Sequence, residues 1–155
     1  MQPRNVATQT EGSIIYALDH VVREEITISN GRVLESNYTG YEEKYLYVNG
    51  SGDNYVNRYD VLPDGTLTNG KLFIDLSKET GRGVTDGMRV DTKGNLYETG
   101  PGGVWIISPE GKHLGTLLTD KATANVAWGE DGSTLFTTTT DSVYKIHLNT
   151  KGKLP

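Results

Sequence analysis

Four aromatic-centred strands recur in order along this chain, and that recurrence limits its fold more than any other feature. They read I-I-Y-A-L-D (14–19), V-N-R-Y-D-V (56–61), G-V-W-I-I-S (103–108) and S-V-Y-K-I-H (142–147). Their centres, Tyr16, Tyr59, Trp105 and Tyr144, lie roughly 40 to 46 residues apart, the spacing of propeller blades. A second series sits between them: K-Y-L-Y-V (44–48), G-N-L-Y-E-T (94–99) and S-T-L-F-T-T (133–138). A third follows the aromatic strands, in L-T-N-G-K-L-F-I-D-L (67–76) and G-K-H-L-G-T-L-L (111–118). Turns such as P-D-G (63–65), T-K-G (92–94), P-E-G (109–111) and E-D-G (130–132) separate the runs, each with a Gly able to take positive φ.

One unit is therefore about four short strands, which is a β-propeller blade. The alternative is a β-sandwich, which also spaces short strands regularly. A sandwich does not require strand types to recur in order, so the expected fold is all-β, with about three blades of a propeller. Propellers close with four to eight blades. Open blade edges therefore have to be covered by a second copy, by a missing N-terminal half, or left open at a cost in stability.

Composition narrows the function classes. The net charge is -5, from 20 acidic and 15 basic residues, without a Lys/Arg cluster. That argues against nucleic acid and anionic membranes as partners. The chain has no Cys, so disulfides, thiolate metal sites and Cys nucleophiles are excluded. No apolar run approaches a membrane span, and the first residues lack the apolar core of a signal peptide. The expectation is a cytoplasmic protein.

From Ile14 onward, the stretches resemble in order the gluconolactonase / senescence marker protein / luciferin-regenerating enzyme family of six-bladed propellers. I-S-N-G (28–31) is similar to the family's Asn-Gly motif. E-E-K-Y-L-Y-V-N (42–49) and R-Y-D-V-L-P-D-G-T-L-T-N-G-K-L-F (58–73) resemble the following strand and hairpin. T-D-G-M-R-V-D-T-K-G-N-L-Y (85–97) resembles the Asp-Gly motif. G-P-G-G-V-W-I-I-S-P-E-G-K-H-L-G (100–115), A-N-V-A-W-G-E-D-G-S-T-L-F (124–136) and S-V-Y-K-I-H-L-N (142–149) are similar to the rest of a C-terminal half. On this basis 1–13 is a poorly matched N-terminal segment and 14–155 a partial propeller.

The resemblance implies a divalent-metal-dependent hydrolase of sugar lactones or related esters. Asp86 matches the family's metal ligand and proposed general base, and Asn30 its neutral amide ligand. The family's Glu ligand and its early-blade substrate residues have no matching position here. Oxygen donors suit a hard cation, so Ca²⁺ is expected first, with Mg²⁺, Zn²⁺ or Mn²⁺ as alternatives. A metal can polarise a lactone carbonyl while a carboxylate takes the proton of the attacking water. The competing expectation is a truncated, non-catalytic propeller fragment or binding module with an incomplete metal site. The partner is a small-molecule lactone or ester, with a homodimer or a separate N-terminal half completing the ring.

Ordinary readings compete at each position. Asp-Gly and Asn-Gly are common turn pairs. Asp91 precedes a Lys-Gly turn, where Asp is routine. His20, His113 and His147 show no ligand spacing. G-S-G-D-N (50–54) is a loop without the Lys-Ser/Thr of a phosphate loop, and T-T-T-T (137–140) is β-prone strand. Asn37 and Asn49 begin sequons that no secretion signal supports. Asn125 resembles a channel-facing family Asn and is read as structural, capping the inner strand of the last blade.

Overall fold

The computed structural model describes residues 28–29, 32–33 and 44–152. It divides into two units, Met1–Glu43 and Lys44–Pro155. In the first, β1 (Ile28–Ser29) and β2 (Arg32–Val33) pair antiparallel, Ser29 opposite Arg32. The aromatic strand predicted at 14–19 lies outside the described residues.

The second unit holds three antiparallel meanders. The first sheet is β3 (Tyr45–Gly50), β4 (Tyr55–Val61) and β5 (Leu67–Asp75). The second is β6 (Met88–Val90), β7 (Leu96–Gly100), β8 (Gly103–Ile107) and β9 (His113–Leu118). The third is β10 (Thr123–Gly129), β11 (Thr134–Thr139) and β12 (Val143–His147). The described residues contain no helix. The recurrent types fall at equivalent places: β3, β7 and β11 are the second series, β4, β8 and β12 the aromatic series, and β5 and β9 the third. The predicted turn glycines Gly65, Gly94, Gly111 and Gly132 all have positive φ. These sheets are three blades of a partial propeller, and the middle one has all four strands.

The sheets stack face to face, so alternation within one strand feeds two cores. Val56, Leu76, Leu96, Trp105 and Ile107 form one core. Tyr97, Val104, Val126, Trp128 and Leu135 form the other. All five residues of β7 are buried, because its sheet is covered on both faces. Arg58 ties the first sheet to the second: its guanidinium donates to the Pro109 carbonyl (2.6 Å) and lies 4.1 Å from the Tyr45 ring centre.

The C-terminal segment folds back beneath this stack. Gly152 pairs with Asp91, and the Thr92 amide donates to the Lys151 carbonyl (2.8 Å). A Cβ at Gly152 would lie 1.8 Å from the Trp128 ring, so only glycine lets the segment pass under the indole.

Candidate functional site

Asp86 precedes β6, and hydrogen bonds from all three sheets hold the stretch around it. Thr85 is buried; its amide donates to Asn54 Oδ1 (3.0 Å) and its hydroxyl to the Gly50 carbonyl (3.1 Å). The Asp86 amide donates to Thr99 Oγ1 (3.0 Å). The Gly87 amide is shared between Thr99 Oγ1 (3.1 Å) and the Ala124 carbonyl (3.0 Å). The Asp86 carbonyl accepts from Asn49 Nδ2 (2.7 Å). The backbone is thus fixed while the Asp86 side chain stays exposed. Among the described residues no group donates a hydrogen bond to its carboxylate.

Gly87 answers to a close approach. A Cβ there would lie 2.3 Å from Asn125 Oδ1 and 2.6 Å from Asn125 Cα, so the next sheet packs directly on this peptide. Gly87→Ala forces the two sheets apart and is expected to cost about 1–3 kcal/mol, the usual range for overpacking. Urea unfolding checks this; a loss below a few tenths would mean that the third sheet yields freely.

Asn125 itself serves the strand. Its Oδ1 accepts from the Val126 amide (2.8 Å), and its carbonyl accepts from Thr137 Oγ1 (3.1 Å), beside a bulge in β10. Asp91 lies in the expected turn before Lys93 and Gly94 and is fully buried there; its carboxylate accepts from the Lys93 and Asn95 amides. Asn30 and His20 lie outside the described residues, as does the Asn37 sequon. His113 stacks on Trp105, with ring centres 4.3 Å apart. His147 Nδ1 lies 3.2 Å from Ser133 Oγ, but that hydroxyl donates to Asp131 (2.5 Å) within its own turn. The hydroxyl proton is thus taken up by the Asp131 carboxylate and not by His147, so the three do not line up as a Ser–His–Asp relay.

Two residues of this region escape the sequence reading. Glu98, on β7, is fully buried; its Oε1 accepts from Asn49 Nδ2 (3.0 Å), and Oε2 has no partner among the described residues. Burial pushes its carboxyl up to about 8, and the Asp86 charge adds to that, while the Asn49 bond and the Asp86 peptide oppose it. A signal did exist: in L-Y-E-T, Glu98 falls on the same strand face as Leu96, a core position. Asn49 reads as a sequon but gives both hydrogens of its side-chain amide to two partners, and a glycan on that nitrogen would leave only one of them.

Chemically, the stretch before β6 offers one exposed carboxylate, Asp86, on a backbone held by hydrogen bonds. No group of three or more His, Cys, Asp or Glu that could hold a metal ion occurs among the described residues.

Comparison with known proteins shows which family the chain belongs to. The SMP-30/Gluconolactonase/LRE-like region profile matches residues 4–141. A gluconolactonase of Zymomonas mobilis subsp. mobilis is 32% identical over 119 residues, covering 72% of this chain and 33% of that protein. The crystal structure of a gluconolactonase-family protein superposes with a TM-score of 0.63 at 30% identity, covering 72% of this chain and 37% of the other. A luciferin-regenerating enzyme shares the fold with a TM-score of 0.62 at 24% identity, over 71% of this chain and 43% of its own. The chain thus spans about a third of the length of the gluconolactonase it matches. It belongs to the SMP-30/gluconolactonase/LRE-like family.

Proposed function

We propose that this chain contributes to divalent-metal-dependent hydrolysis of a sugar lactone or related ester, with Asp86 as ligand and general base. The observation that carries the reading is the exposed Asp86 carboxylate on a backbone clamped by Asn49 and Thr99. Family membership gives that carboxylate its expected role. Asp86 and Asn30 would hold the cation, with Ca²⁺ first among the candidates. A bound divalent cation supplies polarisation of the carbonyl and acidification of water.

Asp86 accepts a proton as the water oxygen bonds to the lactone carbonyl carbon. The ring C–O bond then breaks, and the departing oxygen takes a proton to give the hydroxy acid. The fixed peptide matters because a base must keep hydrogen-bond reach of the water while the carbonyl changes geometry.

A second reading follows from the absence of a three-ligand cluster among the described residues. It makes the chain a non-catalytic propeller fragment whose site needs residues from elsewhere, a second copy or a separate half included.

Glucono-δ-lactone hydrolysis, followed by proton release, separates the two. The expected result is turnover with Ca²⁺ that disappears with chelator and in Asp86→Ala. A folded protein with no turnover under any of these conditions overturns the catalytic reading and leaves the second.

A further inference from the structure

We infer that Asn49 is a positioning residue for Asp86, acting through a hydrogen-bonded bridge from the first sheet to Glu98. This rests on the reading of Asp86 as the cation-binding base.

One nitrogen makes the bridge. Asn49 Nδ2 donates to the Asp86 carbonyl (2.7 Å) and to Glu98 Oε1 (3.0 Å), residues 37 and 49 positions away. An amide NH₂ has two hydrogens in one plane, so engaging both sets the amide's rotation as well as its position. Glu98 is a firm anchor, being fully buried and directly opposite Met88, two residues beyond Asp86. Asn49 therefore ties β3 to both the loop before β6 and the strand beside it.

The consequence for Asp86 is specific. Its amide is held by Thr99 within its own sheet and its carbonyl by Asn49 from the neighbouring one. With both ends of the residue fixed, only side-chain rotation remains to be frozen when a ligand binds. Without Asn49 the Asp86 carbonyl still reaches water, because Asp86 is exposed. Removing Asn49 therefore loosens this peptide more than it unfolds the sheets. Outer partners that orient a ligand commonly change metal affinity by 10–100-fold.

The test measures Ca²⁺ affinity by calorimetry and, in chelator, amide hydrogen exchange at Asp86 and Gly87 relative to Leu96. Asn49→Ala is expected to weaken Ca²⁺ binding about tenfold or more and to speed exchange at Asp86 and Gly87 but not at Leu96. Glu98→Gln keeps the Oε1 acceptor and is expected to preserve the affinity within about twofold, which also separates anchoring from direct ligation. Val56→Ala, in the core between the same two sheets, is expected to lower stability without changing the affinity. Asn49→Ala binding Ca²⁺ as the wild type does would overturn the inference. If the wild type binds no Ca²⁺, the metal reading fails by itself, and exchange decides: selective loosening at Asp86 supports positioning, and unchanged rates overturn it.

Discussion

Asp91→Ala is expected to lower the unfolding free energy by about 3–5 kcal/mol, because it removes the shared acceptor of four hydrogen bonds. Asp91 has no exposed surface. Its Oδ1 accepts from the Lys93 and Asn95 amides (2.9 and 2.8 Å), closing the turn between β6 and β7. Its Oδ2 accepts from Asn95 Nδ2 (2.9 Å) and from Thr150 Oγ1 (3.0 Å). Alanine leaves four donors without their acceptor, and each buried orphan costs about 1–3 kcal/mol where water cannot replace it. The lower figure allows for partial rehydration of the turn. Thr150→Val removes only the link to the C-terminal segment and is expected to cost about 1 kcal/mol. Tryptophan fluorescence during urea unfolding is a suitable probe, since Trp128 covers Gly152 in that segment. A loss below about 1 kcal/mol for Asp91→Ala would show that water already satisfies the turn.

Asp91 also marks how far the sequence speaks. Its role in a Lys-Gly turn is local, and local chemistry is legible in one dimension. The order of strand types is legible for the same reason: each blade repeats one meander, so Tyr59, Trp105 and Tyr144 return at equivalent places. Gly87 and Asp86 stand out through the motif they share with a family. Glu98 and Asn49 do not, because their environment comes from stacking. Whether the strand face carrying Leu96 and Glu98 meets water or another sheet depends on β3–β5, contributed some 40 residues earlier. Asn49 acts across 37 residues, and nothing in N-G-S distinguishes a bridging amide from a loop residue. The Asn30 position lies outside the described residues.

Glu98 gives the second large effect, read in the pH dependence of stability with chelator present. Its carboxyl is raised from an ordinary 4.5 to about 8 in the folded protein, chiefly by burial. Between these values the folded chain keeps a proton that the unfolded chain has lost. The unfolded state binds fewer protons, so stability falls as pH rises through that window and levels off above about 8. The slope is about 1.4 kcal/mol per pH unit, and the whole window is worth on the order of 3–5 kcal/mol. Other perturbed carboxylates act elsewhere: hydrogen bonds from Ser133, Lys145 and Lys121 hold Asp131, Glu130 and Asp141 low, so their contributions are lost only in acid. Glu98→Gln keeps the shape and the Asn49 bond but has no proton to lose. Wild type and variant are expected to be of similar stability near pH 5, and the variant is expected to be the more stable by pH 8. Parallel profiles from pH 5 to 8 would mean that Glu98 is ionised in the fold. Its Oε2 would then have to be solvated, and the interior between the first two sheets would be wetter than its packing indicates.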